Sequence, residues 1–181
     1  MKVIETEIKD VKIIEPTVFG DDRGFFMETY RASDFSVHCT EKSFVQDNHS
    51  KSKQGILRGL HYQTKQTQGK LVRVISGEVY DVAVDMRKSS STYGAHIGVI
   101  LSAENKRQLW VPEGFAHGFY VISEYAEFVY KCTDYYDPDS EVSVLWNDSD
   151  LKINWPLVDG QTPSLSEKDL QGIPFSQAPA F

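Results

Sequence analysis

The sequence predicts an all-β fold, an antiparallel sandwich or barrel with a few short helices. Residues 78–85 separate with period two into one set of Glu, Tyr, Val and Val and another of Val, Asp, Ala and Asp, which is the period of a β-strand. Turn-forming groups such as Pro112 to Gly114 and Asp137 to Asp139 recur at short intervals, as between many short strands. Convincing helical periodicity is scarce.

The elements are expected in the following order along the chain. Residues 31–38 have the spacing of one short helix. Residues 71–75 and 78–85 form a hairpin, because the Ser-Gly pair between them favours a tight turn. A single helical turn is expected at 166–170. The strand pattern continues at 96–101, 109–111, 119–122, 126–132 and 142–146.

The length and the tail indicate one domain. A chain of 181 residues fits a single domain, 1–181, with a core large enough to need no disulfide or metal. The segment of about 155–181 contains four prolines, and we expect it to wrap around the barrel rather than to form a second domain.

The charge balance argues against two classes of function. The chain has 19 basic and 26 acidic residues and a net charge of −7, which is unsuited to nucleic acid or to an anionic membrane surface. Cys39 and Cys132 are far apart and are expected to be free thiols. The sequence has neither a signal-peptide pattern nor an apolar run of membrane-spanning length, so we expect a soluble, cytoplasmic protein.

The densest chemical signal lies within 55–70, on sequence typical of a β-strand and a tight turn. Arg58 suits phosphate, because its planar fork donates two parallel hydrogen bonds. His61 can take and return a proton near neutral pH, and Lys70 can stabilise an oxyanion. The set suggests proton chemistry on a phosphorylated substrate, although such spacing also arises by chance. A second stretch, 111–119, contains His117, for which a hydrogen-bonded core histidine is the alternative.

One signature and nine matching blocks of sequence indicate a resemblance. The pattern Pro112-x-Gly114-x-x-His117 is similar to the second signature of the cupin jelly rolls. Within that superfamily the chain resembles the dTDP-4-dehydrorhamnose 3,5-epimerases of nucleotide-sugar metabolism. The matching blocks run in family order at 19–26, 44–48, 58–61, 68–72, 101–109, 112–119, 127–131, 146–148 and 165–169.

The metal signature of the cupins is broken in this chain. It requires a His-x-His pair, but Gln63 stands two residues after His61. His61 and His117 are left without an evident third protein ligand, although His49 could in principle supply one. We therefore expect no metal and no cofactor, and the family that the chain resembles is likewise metal-independent.

The resemblance implies a substrate and a mechanism. The substrate is dTDP-4-dehydro-6-deoxy-D-glucose, whose C4 ketone acidifies the protons on C3 and C5, and inversion at both carbons gives dTDP-4-dehydro-L-rhamnose. His61 matches the family's base, and Asp169 matches the carboxylate that orients it. Tyr130 matches the acid on the opposite face, and Lys70 the group that stabilises the enolate. Alone, Asp169 would be a helix cap, Tyr130 a core aromatic and Lys70 a surface lysine.

The resemblance also implies binding residues and a homodimer. Arg23 and Arg58 match ligands of the diphosphate, and Phe19 and Tyr136 offer faces for thymine. The family pairs N-terminal strands across a two-fold axis, here 11–19 and 25–30, so that Phe19, Arg23 and Glu28 are expected to reach the partner's pocket. The other residues at positions used for binding are Gln46, Asn48, His117, Glu141 and Lys168.

Two other functions stay open at this point. A 3- or 5-mono-epimerase, or a ketoisomerase of another dTDP-deoxysugar pathway, would share the base, and the presence of Tyr130 favours the double epimerase. A non-catalytic sugar-binding cupin would be expected to lack the set formed by His61, Lys70, Tyr130 and Asp169. The end-product sugar and the order of inversion at C3 and C5 also stay open.

Overall fold

The computed structural model describes residues 1–181. Short strands dominate it, and the helical elements are the two helices α1 (Ala32–His38) and α2 (Glu167–Leu170) and two 3₁₀ turns. Neither α-helix is long and apolar enough to cross a membrane. The strands are β1 (Lys2–Glu5), β2 (Lys12–Glu15), β3 (Val18–Asp21), β4 (Gly24–Met27), β5 (Gln46–Lys53), β6 (Leu57–Gln63), β7 (Lys70–Ser76), β8 (Glu78–Asp85), β9 (His96–Ser102), β10 (Gln108–Val111), β11 (Phe115–Val121), β12 (Tyr125–Cys132) and β13 (Glu141–Ser143).

The strands form two large sheets and one small hairpin. The six-stranded sheet has the order β1-β2-β10-β7-β12-β5, and the five-stranded sheet has the order β13-β6-β11-β8-β9. Strands β3 and β4 pair only with each other. Every strand pair is antiparallel. The predicted all-β, antiparallel jelly-roll class is confirmed.

The core lies between the two large sheets and continues behind one of them. Sixteen buried side chains, most of them from the two sheets and including Val72, Phe119 and Phe128, form the cluster between the sheets. A second cluster, of twelve buried side chains, lies on the outer face of the five-stranded sheet. There the sheet packs against residues that come later in the chain, such as Leu151 and Trp155. Both faces of β8 are therefore covered, which explains why its two alternating side-chain sets are both rich in apolar residues.

Several strand boundaries differ from those predicted. The expected strand 11–19 is two strands, β2 and β3, because Pro16 lacks the N–H that a continuous ladder requires. The expected strand 25–30 ends at Met27 in β4, and the strand expected at 119–122 begins at Phe115. The hairpin expected from 71–75 and 78–85 is wrong: β7 and β8 lie in different sheets and do not pair, so the turn between them carries the chain from one sheet to the other. Strand β5 was not predicted, because every residue of Gln46–Lys53 is polar. It forms at the edge of the six-stranded sheet, where pairing with β12 favours an extended backbone whatever the side chains.

Candidate active site

A polar cavity of about 390 Å³ lies between the two large sheets. Strands β5, β7 and β12 line it from one sheet, and β6, β11 and β13 line it from the other, together with the segment around α2. Most of the predicted site residues line this cavity. They are Gln46, Asn48, Arg58, His61, Lys70, His117, Tyr130, Tyr136, Glu141, Lys168 and Asp169.

Strand register brings these residues together from distant parts of the sequence. His61 on β6 lies directly opposite His117 on β11, and Tyr130 on β12 lies opposite Asn48 on β5. Strands β6 and β11 approach closely at Gly59, where an added Cβ would stand only 2.5 Å from the Cα of Gly118. A side chain at Gly59 would therefore push apart the two strands that carry the imidazoles.

His61 and Asp169 form a short, buried pair. His61 Nε2 lies 2.5 Å from Asp169 Oδ1, and Asp169 is only 2% exposed. The Ser166 hydroxyl donates to Asp169 Oδ2 over 2.7 Å. Burial by itself would raise the pKa of Asp169, but hydrogen bonds from His61 and Ser166 outweigh it and hold that pKa below its ordinary value. The carboxylate is thus ionised and oriented at neutral pH.

Asp169 also takes part in the cap of α2. Its backbone N–H donates to Ser166 Oγ over 3.2 Å, so Ser166 is the N-cap residue of this short helix. The cap geometry anticipated from the sequence is therefore present together with the pairing to His61. The same turn that starts α2 fixes the position of the carboxylate in the cavity.

The other nitrogen of His61 faces a second carboxylate. His61 Nδ1 is 3.9 Å from Glu141 Oε1. Glu141 Oε2 accepts hydrogen bonds from the Tyr136 hydroxyl at 2.8 Å and from the Lys168 ammonium at 2.7 Å. Burial by itself would raise the pKa of Glu141. The hydrogen bonds from Lys168 and Tyr136 and the nearby His61 together outweigh burial, so the pKa lies below its ordinary value. Three predicted binding residues thus form one linked group beside the imidazole.

Tyr130 and Lys70 present unpaired polar ends to the same cavity. Both side chains line the cavity, and neither the Tyr130 hydroxyl nor the Lys70 ammonium makes a hydrogen bond to another group of the chain. Burial, together with nearby Cys132, raises the pKa of Tyr130 to about 12. Burial also lowers the pKa of Lys70. The phenol therefore keeps its proton at neutral pH, and both groups are free to contact a bound molecule.

A second buried pair was missed by the sequence reasoning. His117 Nε2 lies 2.9 Å and 3.1 Å from the two carboxylate oxygens of Asp81, which is completely buried. Asp81 shares the inward face of β8 with Val79 and Ala83. A carboxylate on such an apolar face needs a buried partner, and that was the signal available in the sequence. The pair fixes the His117 ring at the cavity wall.

Arg58, Gln46 and Asn48 line the remaining wall. Arg58 Nε donates to Ser52 Oγ over 3.0 Å, which leaves the terminal nitrogens of the guanidinium free. Gln46 Nε2 donates to Asn48 Oδ1 over 3.1 Å. Asn48 Nδ2 donates in turn to the buried Cys132 thiol over 3.6 Å. These contacts fix the amides and leave one cationic fork available for an anion.

Three predicted site residues lie outside this cavity. Phe19 is 63% exposed on the β3–β4 hairpin, next to the exposed rings of Phe25 and Phe26. Arg23, at the tip of that hairpin, is paired with Asp21, and Glu28 is 3.0 Å from the guanidinium of Arg31. Within one chain, therefore, Phe19, Arg23 and Glu28 lie apart from the other site residues.

The position that breaks the metal signature has a structural role. Gln63 is 5% exposed, and its amide donates to the carbonyls of Gln66 at 2.7 Å and Tyr135 at 3.1 Å. It therefore holds two loops together at the end of β6. No three His, Cys, Asp or Glu side chains in the chain are grouped as metal ligands.

Comparison with known proteins identifies close relatives along nearly the whole chain. A family model described as dTDP-4-dehydrorhamnose 3,5-epimerase matches residues 5–177. A Pseudomonas aeruginosa protein named dTDP-4-dehydrorhamnose 3,5-epimerase is 59% identical over 182 residues, covering 100% of this chain and 99% of its own. A Salmonella typhimurium protein of the same name is 59% identical over 180 residues, covering 98% and 97%.

Solved structures with the same fold include complexes with dTDP-sugars. The Legionella pneumophila dTDP-6-deoxy-D-glucose-3,5-epimerase, in complex with dTDP-4-keto-L-rhamnose, superposes with a TM-score of 0.95 at 54% identity, covering 98% of this chain and 94% of that one. The 3'-monoepimerase ChmJ of Streptomyces bikiniensis, in complex with dTDP-quinovose, has a TM-score of 0.88 at 31% identity, covering 95% and 87%.

Proposed function

Because the chain belongs to the dTDP-4-dehydrorhamnose 3,5-epimerase family, we propose that the cavity around His61 carries out that reaction with the side chains described above. The protein is an isomerase that inverts C3 and C5 of dTDP-4-dehydro-6-deoxy-D-glucose to give dTDP-4-dehydro-L-rhamnose. The observation that carries the assignment of roles is the convergence of an oriented imidazole, an unpaired phenol and an unpaired ammonium on one cavity.

His61 is the base in this proposal. Its Nε2 is held by the Asp169 carboxylate, so Nδ1 has the free lone pair when the ring is neutral. The C4 ketone of the substrate acidifies the neighbouring C–H bonds, and Nδ1 removes a proton from C3 or C5. The negative charge of Asp169 stabilises the imidazolium that results.

Tyr130 and Lys70 complete the proton transfer. His61 belongs to the five-stranded sheet and Tyr130 to the six-stranded sheet, so the two side chains approach a bound sugar from opposite sides. With a pKa of about 12, Tyr130 remains protonated and can donate to the face opposite the base. The Lys70 ammonium stabilises the enolate oxygen that forms at C4.

The other cavity residues hold the substrate. Arg58 has free guanidinium nitrogens for the diphosphate, and His117, fixed by Asp81, contacts sugar oxygens. Gln46, Asn48, Tyr136, Glu141 and Lys168 supply the remaining polar or aromatic contacts to the nucleotide sugar.

The active form is proposed to be a cytoplasmic homodimer. The exposed rings of Phe19, Phe25 and Phe26 on a hairpin that pairs with no other strand support this, because such a surface favours association. In this arrangement Phe19, Arg23 and Glu28 extend into the pocket of the partner. A strictly monomeric, active protein in light scattering would contradict the homodimer.

Deuterium wash-in tests the reaction. Incubating the 4-keto sugar nucleotide with the protein in heavy water should place deuterium at both C3 and C5, as read by NMR. Label at one carbon with inversion there would identify a mono-epimerase such as the one that shares this fold. An unlabelled sugar would overturn the proposed function.

A further inference from the structure

Two inversions by one base require that the base lose a proton between them. Once His61 has taken the proton from the first carbon, its imidazole is charged and cannot act on the second carbon. If both inversions occur while the sugar stays bound, His61 must lose this proton, and Tyr130 must regain the one it donated, before the second abstraction. The inference below rests on the proposed function, because it concerns the recovery of that same base.

The Asp169 side of the imidazole offers no exit. His61 Nε2 is bonded to a carboxylate that is 2% exposed. The oxygens of that carboxylate are already engaged by the Ser166 hydroxyl and the Gly59 N–H. A proton held on this side has no contact with solvent, so Nδ1 is the nitrogen from which it can depart.

Glu141 connects Nδ1 to the mouth of the cavity. Its Oε1 is 3.9 Å from His61 Nδ1, and its own side chain is 12% exposed. Its Oε2 accepts hydrogen bonds from Tyr136 and Lys168, which are 51% and 48% exposed. One carboxylate thus spans the distance between the buried base and groups in contact with water.

We propose that Glu141 accepts the proton from His61 and so returns the imidazole to its neutral form between the two inversions. The N–H bond at Nδ1 breaks, leaving its electron pair on nitrogen, and an O–H bond forms at Glu141 Oε1. One bridging water or a small side-chain rotation closes the 3.9 Å separation. The carboxylic acid then releases the proton to water at the mouth, and the donors Tyr136 and Lys168 favour this release by stabilising the carboxylate. The Tyr130 phenolate takes a proton back from water, which re-forms its O–H bond for the second inversion.

The Glu141→Gln variant separates the two inversions. The amide oxygen can still accept from Tyr136 and Lys168, but the side chain can no longer take a proton. We expect the rate of the second inversion to fall by about a hundredfold or more relative to the first, the scale of a lost acid–base group. A sugar inverted and labelled at one carbon should accumulate in heavy water. Added imidazole buffer should restore the second inversion, because a small base can replace the missing carboxylate.

Two further variants complete the test. Glu141→Asp keeps a carboxylate and should retain part of the second inversion. Glu127→Gln is the matched control: Glu127 lies 3.1 Å from His49 on the exterior, outside the cavity, and its loss should change neither rate. If Glu141→Gln inverts both carbons at the parent rate, or slows both equally with a raised KM and no response to imidazole, the relay is refuted. If the parent protein labels neither carbon, the proposed function itself fails.

Discussion

Replacing Asp169 with asparagine removes the charge beside His61 and keeps the shape of the side chain. The amide oxygen can still accept a hydrogen bond, and the Ser166 hydroxyl still lies within reach of the side chain. The N-cap of α2 is made by Ser166 and the backbone N–H of residue 169, so it is unaffected. The variant therefore tests the electrostatic role of Asp169 apart from its structural role.

The size of the effect follows from the geometry. Opposite charges centred about 4 Å apart attract by about 4 kcal/mol at an effective dielectric constant of about 20. The His61 side chain is 21% exposed, so water screens part of this attraction, and about half of it, about 2 kcal/mol, remains. Asp169→Asn removes that stabilisation from the imidazolium that forms when His61 takes the proton. The rate constant kcat should therefore fall by about 30-fold.

The assay is the rate of deuterium exchange at C5, with Asp148→Asn as a matched control. Asp148 is also a buried carboxylate, but it accepts only from the backbone N–H groups of Asp150, Leu151 and Phe175. Replacing Asp148 should lower the melting temperature and leave the exchange rate unchanged. An Asp169→Asn protein that exchanges at the parent rate would show that Asp169 serves only the turn at α2.

Three other variants have defined outcomes. Tyr130→Phe should still admit deuterium from the His61 side while inversion falls by about a hundredfold, and inversion at the parent rate would assign the acid to another group. Asp81→Asn removes the charge beside His117 and weakens the contact that fixes its ring, so KM should rise more than kcat falls. An unchanged KM in steady-state kinetics would show that the pair serves only the fold. Asp85 is fully buried, and burial raises its pKa, but its hydrogen bonds prevail and lower the pKa to about 2. The ionised Asp85 carboxylate therefore stabilises the fold at pH values above the ordinary pKa of aspartate, and this contribution is lost as the pH falls toward 2. Asp85→Asn should lose about 2 kcal/mol of unfolding free energy at pH 7, and less in urea titrations below pH 4. A loss of unfolding free energy that does not change with pH would contradict this role of Asp85.

The strands with an apolar face could be predicted, and those without one could not. Strands β7, β8 and β12 contribute to the core between the sheets, and their sequences show it through period-two alternation. Strand β5 has no apolar residue, because one of its faces lines a polar cavity and the other faces outward. Its conformation is fixed by hydrogen bonding to β12, which no local pattern reports.

The site residues divide in the same way. The blocks around His61, His117, Tyr130 and Asp169 carry the family resemblance and could be read directly from the sequence. The link between His117 and Asp81 could not, because 36 residues separate them and only the register of β8 and β11 brings them together. The local pattern of Asp169 predicted a cap, which exists, while the contact with His61 depends on residues 108 positions apart.

The sequence by itself determined the fold class and the residue types available for acid–base chemistry, since alternation and turn residues act over a few neighbouring positions. The tertiary structure alone decided how those residues are paired. It showed which nitrogen of His61 faces Asp169 and which faces Glu141, and that Tyr130 and Lys70 are left without partners. The physical reason is that pairing across an antiparallel sheet is set by register between distant strands, and a shift of one residue would turn each of these side chains to the opposite face.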